Sequence, residues 1–349
     1  MSETAEKLRE TAAKMPDVTN LPRPHFVRDP DAKPYSLPAG RKVGGLLDAT
    51  YGPDRHLWLL TQPGQGDEFL PSVVEFDETG AFVNAWGGPE HIPAVNGRSQ
   101  WPSGVEGLEV DAENNVWVFG YQAEDHAVLR FARDGTLLLR IGERGVPGDD
   151  ASTTHLNRPT TCYHDVAARE VFISDGYGNH RVVAFDSDTG AFTRKWGAFG
   201  KDPVGQPAEE AFGNPVHCVT ASPDGLIYVA DRIKNRVQEF ERIDGGARFL
   251  REVVIAPGTW GFGSAFDIAF SPDAAFMYVS DGTNNRVWII DRGSFQVLGW
   301  TGSYCETEGS TNLPSFYGLI HRFLTDPEGN ILLVCPSRGL EFLRFTGIR

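Results

Sequence analysis

Short apolar runs recur along this chain with polar, turn-forming residues between them. Leu57-Trp58-Leu59-Leu60, Val116-Trp117-Val118-Phe119, Val171-Phe172-Ile173, Ile227-Tyr228-Val229, Met277-Tyr278-Val279 and Ile331-Leu332-Leu333-Val334 form one series. Counted between Trp58, Trp117, Phe172, Tyr228, Tyr278 and Leu332, the steps are 59, 55, 56, 50 and 54 residues. Runs this short, rich in β-branched and aromatic residues and lacking a helical period, predict strands. Each run is the second of an ordered set. An apolar strand precedes it, such as Gly107-Leu108-Glu109-Val110, and a turn such as Ser222-Pro223-Asp224-Gly225 joins the two. Asp, Pro, Gly and Asn supply the turns through fixed φ, positive φ and side-chain hydrogen bonds to the local backbone. A third strand follows, such as Arg181-Val182-Val183-Ala184-Phe185, and a fourth, such as Leu137-Leu138-Leu139-Arg140-Ile141.

Six repeats of four antiparallel strands predict an all-β chain, a six-bladed β-propeller whose closed ring leaves no open edge. The sixth unit supplies only three strands before the chain stops at Arg349. Its fourth strand is expected from the N-terminal segment, within residues 20 to 45, which closes the ring. Residues 1–20 are expected to form an extension and residues 21–349 a single domain.

Composition narrows the function. The formal charge is -15 and the sequence pI about 5.0, so a broad positive surface for nucleic acid or anionic lipid is not expected. No stretch approaches the roughly 20 apolar residues of a membrane span. Met1 to Met15 has no apolar core of a secretory signal, and the four cysteines lack metal or disulfide spacing, which together lead us to expect a cytoplasmic protein.

Blade topology sorts the candidate chemistry. The start of strand one and the loop between strands two and three share one rim. His217 and His321 stand at strand-one starts in units four and six, and His126 ends the strand-two-to-three loop of unit two. Imidazoles from alternate blades can converge on the axis and hold Zn2+ with one position open. His164 also stands near a strand-one start and is the rival ligand or an acid, with Asp165 as the alternative inward residue. The repeated phrase Ser/Ala-Asp-Gly/Arg is interrupted by Tyr177 and Arg232 in equivalent loops of units three and four. A phenol beside a metal and a guanidinium can serve as a general base, and the guanidinium can hold a carboxylate or an oxyanion. Strand-start carbonyls at the axis could also hold Ca2+.

On these residues the chain resembles the NHL-repeat propellers, and among them the peptidyl-α-hydroxyglycine α-amidating lyases. The phrase His126-Ala127-Val128-Leu129-Arg130-Phe131 resembles the family's first zinc-histidine segment. His217 with Val229-Ala230-Asp231-Arg232 resembles the second, and Ser174-Asp175-Gly176-Tyr177-Gly178-Asn179-His180-Arg181 resembles the catalytic-tyrosine phrase. The resemblance implies three zinc histidines, a structural calcium and cleavage of a carbinolamide C–N bond. Two departures follow. Arg322 stands where the family has an aspartate after its third histidine, and Gln62 lies in the loop where the family has a second substrate arginine. Arg322 and Arg338 are the candidates to replace that arginine.

The reading is a zinc-dependent lyase that breaks a C–N or C–O bond in a small α-hydroxy amide, hemiaminal or related compound, one able to carry a carboxylate. Tyr177, Arg232 and His164 are its catalytic candidates, and His126, His217 and His321 its metal ligands. A metal-dependent hydrolase or hydratase, and a non-enzymatic NHL scaffold for a protein partner, remain the alternatives.

Overall fold

The structure is a computed structural model that describes residues 21–95, 97–259, 261–302 and 319–349. The expected N-terminal extension, residues 1–20, lies outside the described residues. Strand β1 is Pro24–Asp29. Blade 1 holds β2 (Gly45–Tyr51), β3 (Leu57–Gln62), β4 (Val73–Phe76) and β5 (Phe82–Trp86). Blade 2 holds β6 (Val105–Val110), β7 (Val116–Gly120), β8 (Ala127–Phe131) and β9 (Leu137–Gly142). Blade 3 holds β10 (Thr161–Asp165), β11 (Glu170–Asp175), β12 (Arg181–Asp186) and β13 (Phe192–Trp196). Blade 4 holds β14 (Val216–Ala221), β15 (Ile227–Asp231), β16 (Arg236–Ile243) and β17 (Gly246–Val254). Blade 5 holds β18 (Asp267–Phe270), β19 (Phe276–Asp281), β20 (Arg286–Asp291) and β21 (Gln296–Gly302). Blade 6 holds β22 (Arg322–Thr325), β23 (Ile331–Cys335) and β24 (Gly339–Ile348).

Each blade is a four-stranded antiparallel sheet in chain order, and the sixth takes β1 as its outer strand, paired to β24 from Pro24↔Ile348 to Asp29↔Phe342. The six-bladed propeller is therefore the fold, closed by the N-terminal segment as the strand count required. Burial follows from radial position. The second strands are sandwiched between neighbouring blades, so β3, β7, β11, β15 and β23 are almost entirely buried along their length. The outer strand β17 alternates exposed and covered positions, the pattern of a one-sided strand.

The described hydrophobic core is divided among the gaps between blades. Trp58 and Trp86 of blade 1 pack with Val116, Val118 and Phe131 of blade 2. Tyr228 and Ala230 of blade 4 pack with Met277 and Trp288 of blade 5, and the other gaps are filled in the same way. Each blade thus needs both neighbours to bury its faces, which makes ring closure a condition of stability.

The repeated Asp-Arg pairs explain the phrase seen in the sequence. Asp175 accepts from Arg181 Nε at 2.9 Å and Asn179 Nδ2 at 2.8 Å. Arg181 then donates to the carbonyls of Asp150, Ser152 and His155, fastening a rim loop to blade 3. Asp231 and Arg236 repeat the pair in blade 4 at 2.9 Å.

Phe26 is the apolar clasp of β1, its ring 5.8 Å from Tyr278 and 5.9 Å from Phe345 between centroids. Phe26→Ala should lower unfolding stability by about 3 kcal/mol, read as a shift in the urea midpoint at constant slope. An unchanged midpoint would show that the clasp contributes nothing to closure.

Candidate metal centre on the propeller axis

The inner strands carry a shared sequence register that becomes a site. Glu106, His217 and His321 each stand 11 residues before the central residue of their blades, Trp117, Tyr228 and Leu332. Two residues further on, the backbone N–H groups of Leu108, Val219 and Phe323 donate to the preceding blade's Asp48 (2.9 Å), Thr161 (2.9 Å) and Asp267 (3.1 Å). Blades 1, 3 and 5 thus supply side-chain acceptors, and blades 2, 4 and 6 supply the groups that converge above them. β-Bulges between Val105 and Gly107 and between Val216 and Cys218 fall at Glu106 and His217. A bulge re-aims the side chain it contains, here away from an ordinary face of the blade.

Glu106, His217 and His321 are buried and form one group able to hold a metal ion. Glu106 Oε1 lies 3.4 Å from His217 Nε2 and 3.4 Å from His321 Nε2. Edges of that length correspond to metal–ligand bonds of about 2.1 Å in a tetrahedral site, the range of zinc with imidazole and carboxylate. His217 Nδ1 lies 2.8 Å from the Phe266 carbonyl and His321 Nδ1 2.7 Å from the Leu47 carbonyl. A carbonyl only accepts, so each Nδ1 carries the hydrogen and each Nε2 presents a lone pair to Glu106. His217 Nε2 is buried without a hydrogen-bond partner. Lone pairs facing a carboxylate call for a cation among them, and the donor set fits a divalent transition ion.

The charges are arranged accordingly. Burial alone would raise the Glu106 carboxyl, but in the metal-free site, where the facing nitrogens can carry hydrogen, His321 and His217 hold it well below the usual carboxylate range. Burial, reinforced by Arg322, pushes His217 well below the usual imidazole range, keeping it in the neutral form that binds metal.

Tyr177 follows β11 and Arg232 follows β15, and both reach this group. Tyr177 Oη donates to Glu106 Oε1 at 3.2 Å, while Arg232 Nη1 donates to Tyr177 Oη at 3.2 Å. The Arg232 guanidinium carbon sits 5.4 Å from the Tyr177 ring centroid and 4.8 Å from that of Phe266. Arg232 Nε is buried with no partner, so a donor remains for an anionic group in the site. Burial and the adjacent Glu106 raise the Tyr177 phenol further than Arg232 lowers it. With no metal ion beside Glu106 the phenol is therefore the protonated donor; the general-base role expected from the sequence supposes a metal there.

The other sequence candidates lie elsewhere. His126 ends the β7–β8 loop as expected and is buried with Nδ1 unpartnered, but it is not one of the three converging groups. His164 belongs to β10, which begins at Thr161, so it is three residues past the strand's start. It pairs with Val171, stacks on Trp117 and opens onto the lower cavity with the turn residues Pro223, Pro272 and Pro327. That places it on the face away from Tyr177, where with Asp111 and Glu113 it forms a second group of side chains able to hold a metal ion. Asp165, its alternative, pairs with Arg242 at 2.5 Å. Arg338 stands in the β23–β24 loop and pairs with Glu341 at 3.1 Å, while Arg322 is buried on the axis rather than at the open rim. Gln62 instead accepts from Val105 N–H at 3.4 Å, beside Glu106. Glu106 was missed because only histidines were sought at strand starts. Aligning Val105-Glu106-Gly107-Leu108 with Val216-His217-Cys218-Val219 and Ile320-His321-Arg322-Phe323 would have found it.

No protein-family model matches the chain. It is 26% identical over 241 residues to NHL repeat-containing protein 3 of Homo sapiens, covering 66% of this chain and 61% of that protein. It is 34% identical over 149 residues to peptidyl-glycine alpha-amidating monooxygenase A of Xenopus laevis, covering 42% of this chain and 15% of that protein. It is 26% identical over 262 residues to peptidyl-alpha-hydroxyglycine alpha-amidating lyase 2 of Drosophila melanogaster, covering 60% of this chain and 58% of that protein. The chain spans less than two thirds of the length of each of these relatives. It is thus a six-bladed propeller that resembles NHL-repeat and amidating-lyase proteins at low identity and carries a group of side chains able to coordinate a metal.

Proposed function

We propose that this chain is a metal-dependent lyase for a small α-hydroxy amide or hemiaminal bearing a carboxylate. The observation that carries the reading is the convergence of His217 Nε2 and His321 Nε2 on Glu106 Oε1, with Tyr177 and Arg232 joined to that oxygen in one hydrogen-bonded line. Similarity to proteins named as amidating lyases supports the reaction class.

A divalent ion held by Glu106, His217 and His321 would act as a Lewis acid toward an oxygen of the substrate. Arg232, with its unpartnered Nε, would bind the carboxylate and orient the scissile bond. Tyr177 Oη is hydrogen-bonded on both sides, which suits a group that gives one proton and regains another. In the lyase reaction the C–N bond breaks, the nitrogen takes a proton from Tyr177 Oη, and the substrate hydroxyl, becoming a carbonyl, returns one to it. The phenol ends as it began, and the products are an amide and an aldehyde. The carboxylate among the ligands favours a second reading, hydrolysis, because two histidines with one glutamate are also the ligand set of zinc peptidases.

Purified chain should hold about one zinc or similar ion, lost in Glu106→Ala and His217→Ala and retained in His126→Ala, as measured by elemental analysis. Loss in His126→Ala with retention in Glu106→Ala would overturn the ligand assignment.

With an α-hydroxyglycine-terminated amide as substrate, Tyr177→Phe should lower kcat about 100-fold or more. Arg232→Met should raise KM about tenfold or more. Run in 18O-labelled water, the lyase leaves its amide product unlabelled, whereas hydrolysis places label in a carboxylic acid product.

A further inference from the structure

Arg322 reaches every blade of the ring. It opens β22 of blade 6 and is 1% exposed. Its Nη2 donates to the Thr160 carbonyl at the start of blade 3, at 2.7 Å, and its Nη1 lies 3.4 Å from the His217 carbonyl of blade 4. Around the same guanidinium stand three carboxylates, each at 3.9 Å: Asp48 Oδ2 of blade 1 from Nε, Glu106 Oε1 of blade 2 from Nη2, and Asp267 Oδ1 of blade 5 from Nη1. Asp48 and Asp267 are held in place by backbone donors, Ala49 and Leu108 for the first and Phe323 for the second. Beneath the guanidinium lies a cavity of about 290 Å³ lined by Asp48, Glu109 and Asp267.

Carboxylates and backbone carbonyls converging from several strands are the donor set of a hard divalent cation such as Ca2+. In this chain the space among them holds the N–H groups of Arg322, which face the same oxygens. The calcium implied by the sequence resemblance therefore does not fit. We infer that the axial cation of this propeller is a side chain: the Arg322 guanidinium ties the six inner strands together, and the chain uses no calcium there. The ring carries its own counter-charge, so its closure is independent of calcium in the medium. This inference is separate from the metal triad above it and does not rest on the lyase reading.

The test uses the full chain with zinc held constant throughout, so that failure of the triad reading leaves its readouts unchanged. Wild-type protein should contain no stoichiometric calcium by elemental analysis, and adding Ca2+ should leave its Tm unmoved. Arg322→Ser exposes Asp48, Asp267 and the two carbonyls as an empty oxygen cage. That variant should bind Ca2+ by calorimetry and gain several degrees in Tm, and Asp48→Asn added to it should abolish the gain. One tightly bound calcium per wild-type chain, or a wild-type Tm that follows Ca2+, overturns the inference. A folded Arg322→Ser that ignores Ca2+ overturns the assignment of these oxygens. Should that variant not fold, the two wild-type measurements decide.

Discussion

A propeller must fill its axis, and here the axis is filled by charge. Arg322 is the shared partner of Asp48, Glu106 and Asp267 and of the Thr160 and His217 carbonyls. A lone buried cation would be untenable, and so would three buried carboxylates without one; each makes the other admissible. Burial pushes Asp48 up to about 7 against the pull of Arg322, and burial with the neighbouring carboxylates pushes Glu109 up to about 8. Both acids are therefore held toward their neutral forms, which limits the negative charge that Arg322 must balance at the axis.

The fold was legible because radial repetition writes itself into sequence. Each central strand must be apolar on both faces, and the turns must carry Gly, Pro, Asn or Asp, so the units can be counted. The missing last strand predicted the role of the N-terminal segment before any pairing was known, and Phe26 on β1 supplies its apolar anchor. Parts of the site were legible for the same reason. His217 and His321 occupy repeat positions, while Tyr177 and Arg232 break a repeated phrase.

The remainder was hidden by chemistry and by register. Glu106 shares the 11-residue spacing of the two histidines, yet a glutamate in a strand also reads as an ordinary polar face. Its burial and its bulge arise only when the blades assemble. His164 was misplaced because β10 starts at Thr161, and three residues along a strand carry a side chain roughly 10 Å toward the other face of the ring. His126 stands at the far end of such a loop, just before β8, whereas Tyr177 and Arg232 stand close behind the strands they follow.

A carboxylate among the converging groups and an arginine after the last histidine are better understood together. Glu106 brings a negative charge to the converging group, and Arg322 brings a positive charge within 3.9 Å of it. Either change alone would leave a buried charge unmatched at the axis. Together they conserve local charge while moving it from a bound ion into the chain. The cost falls on Tyr177, whose phenol faces the carboxylate and is held protonated.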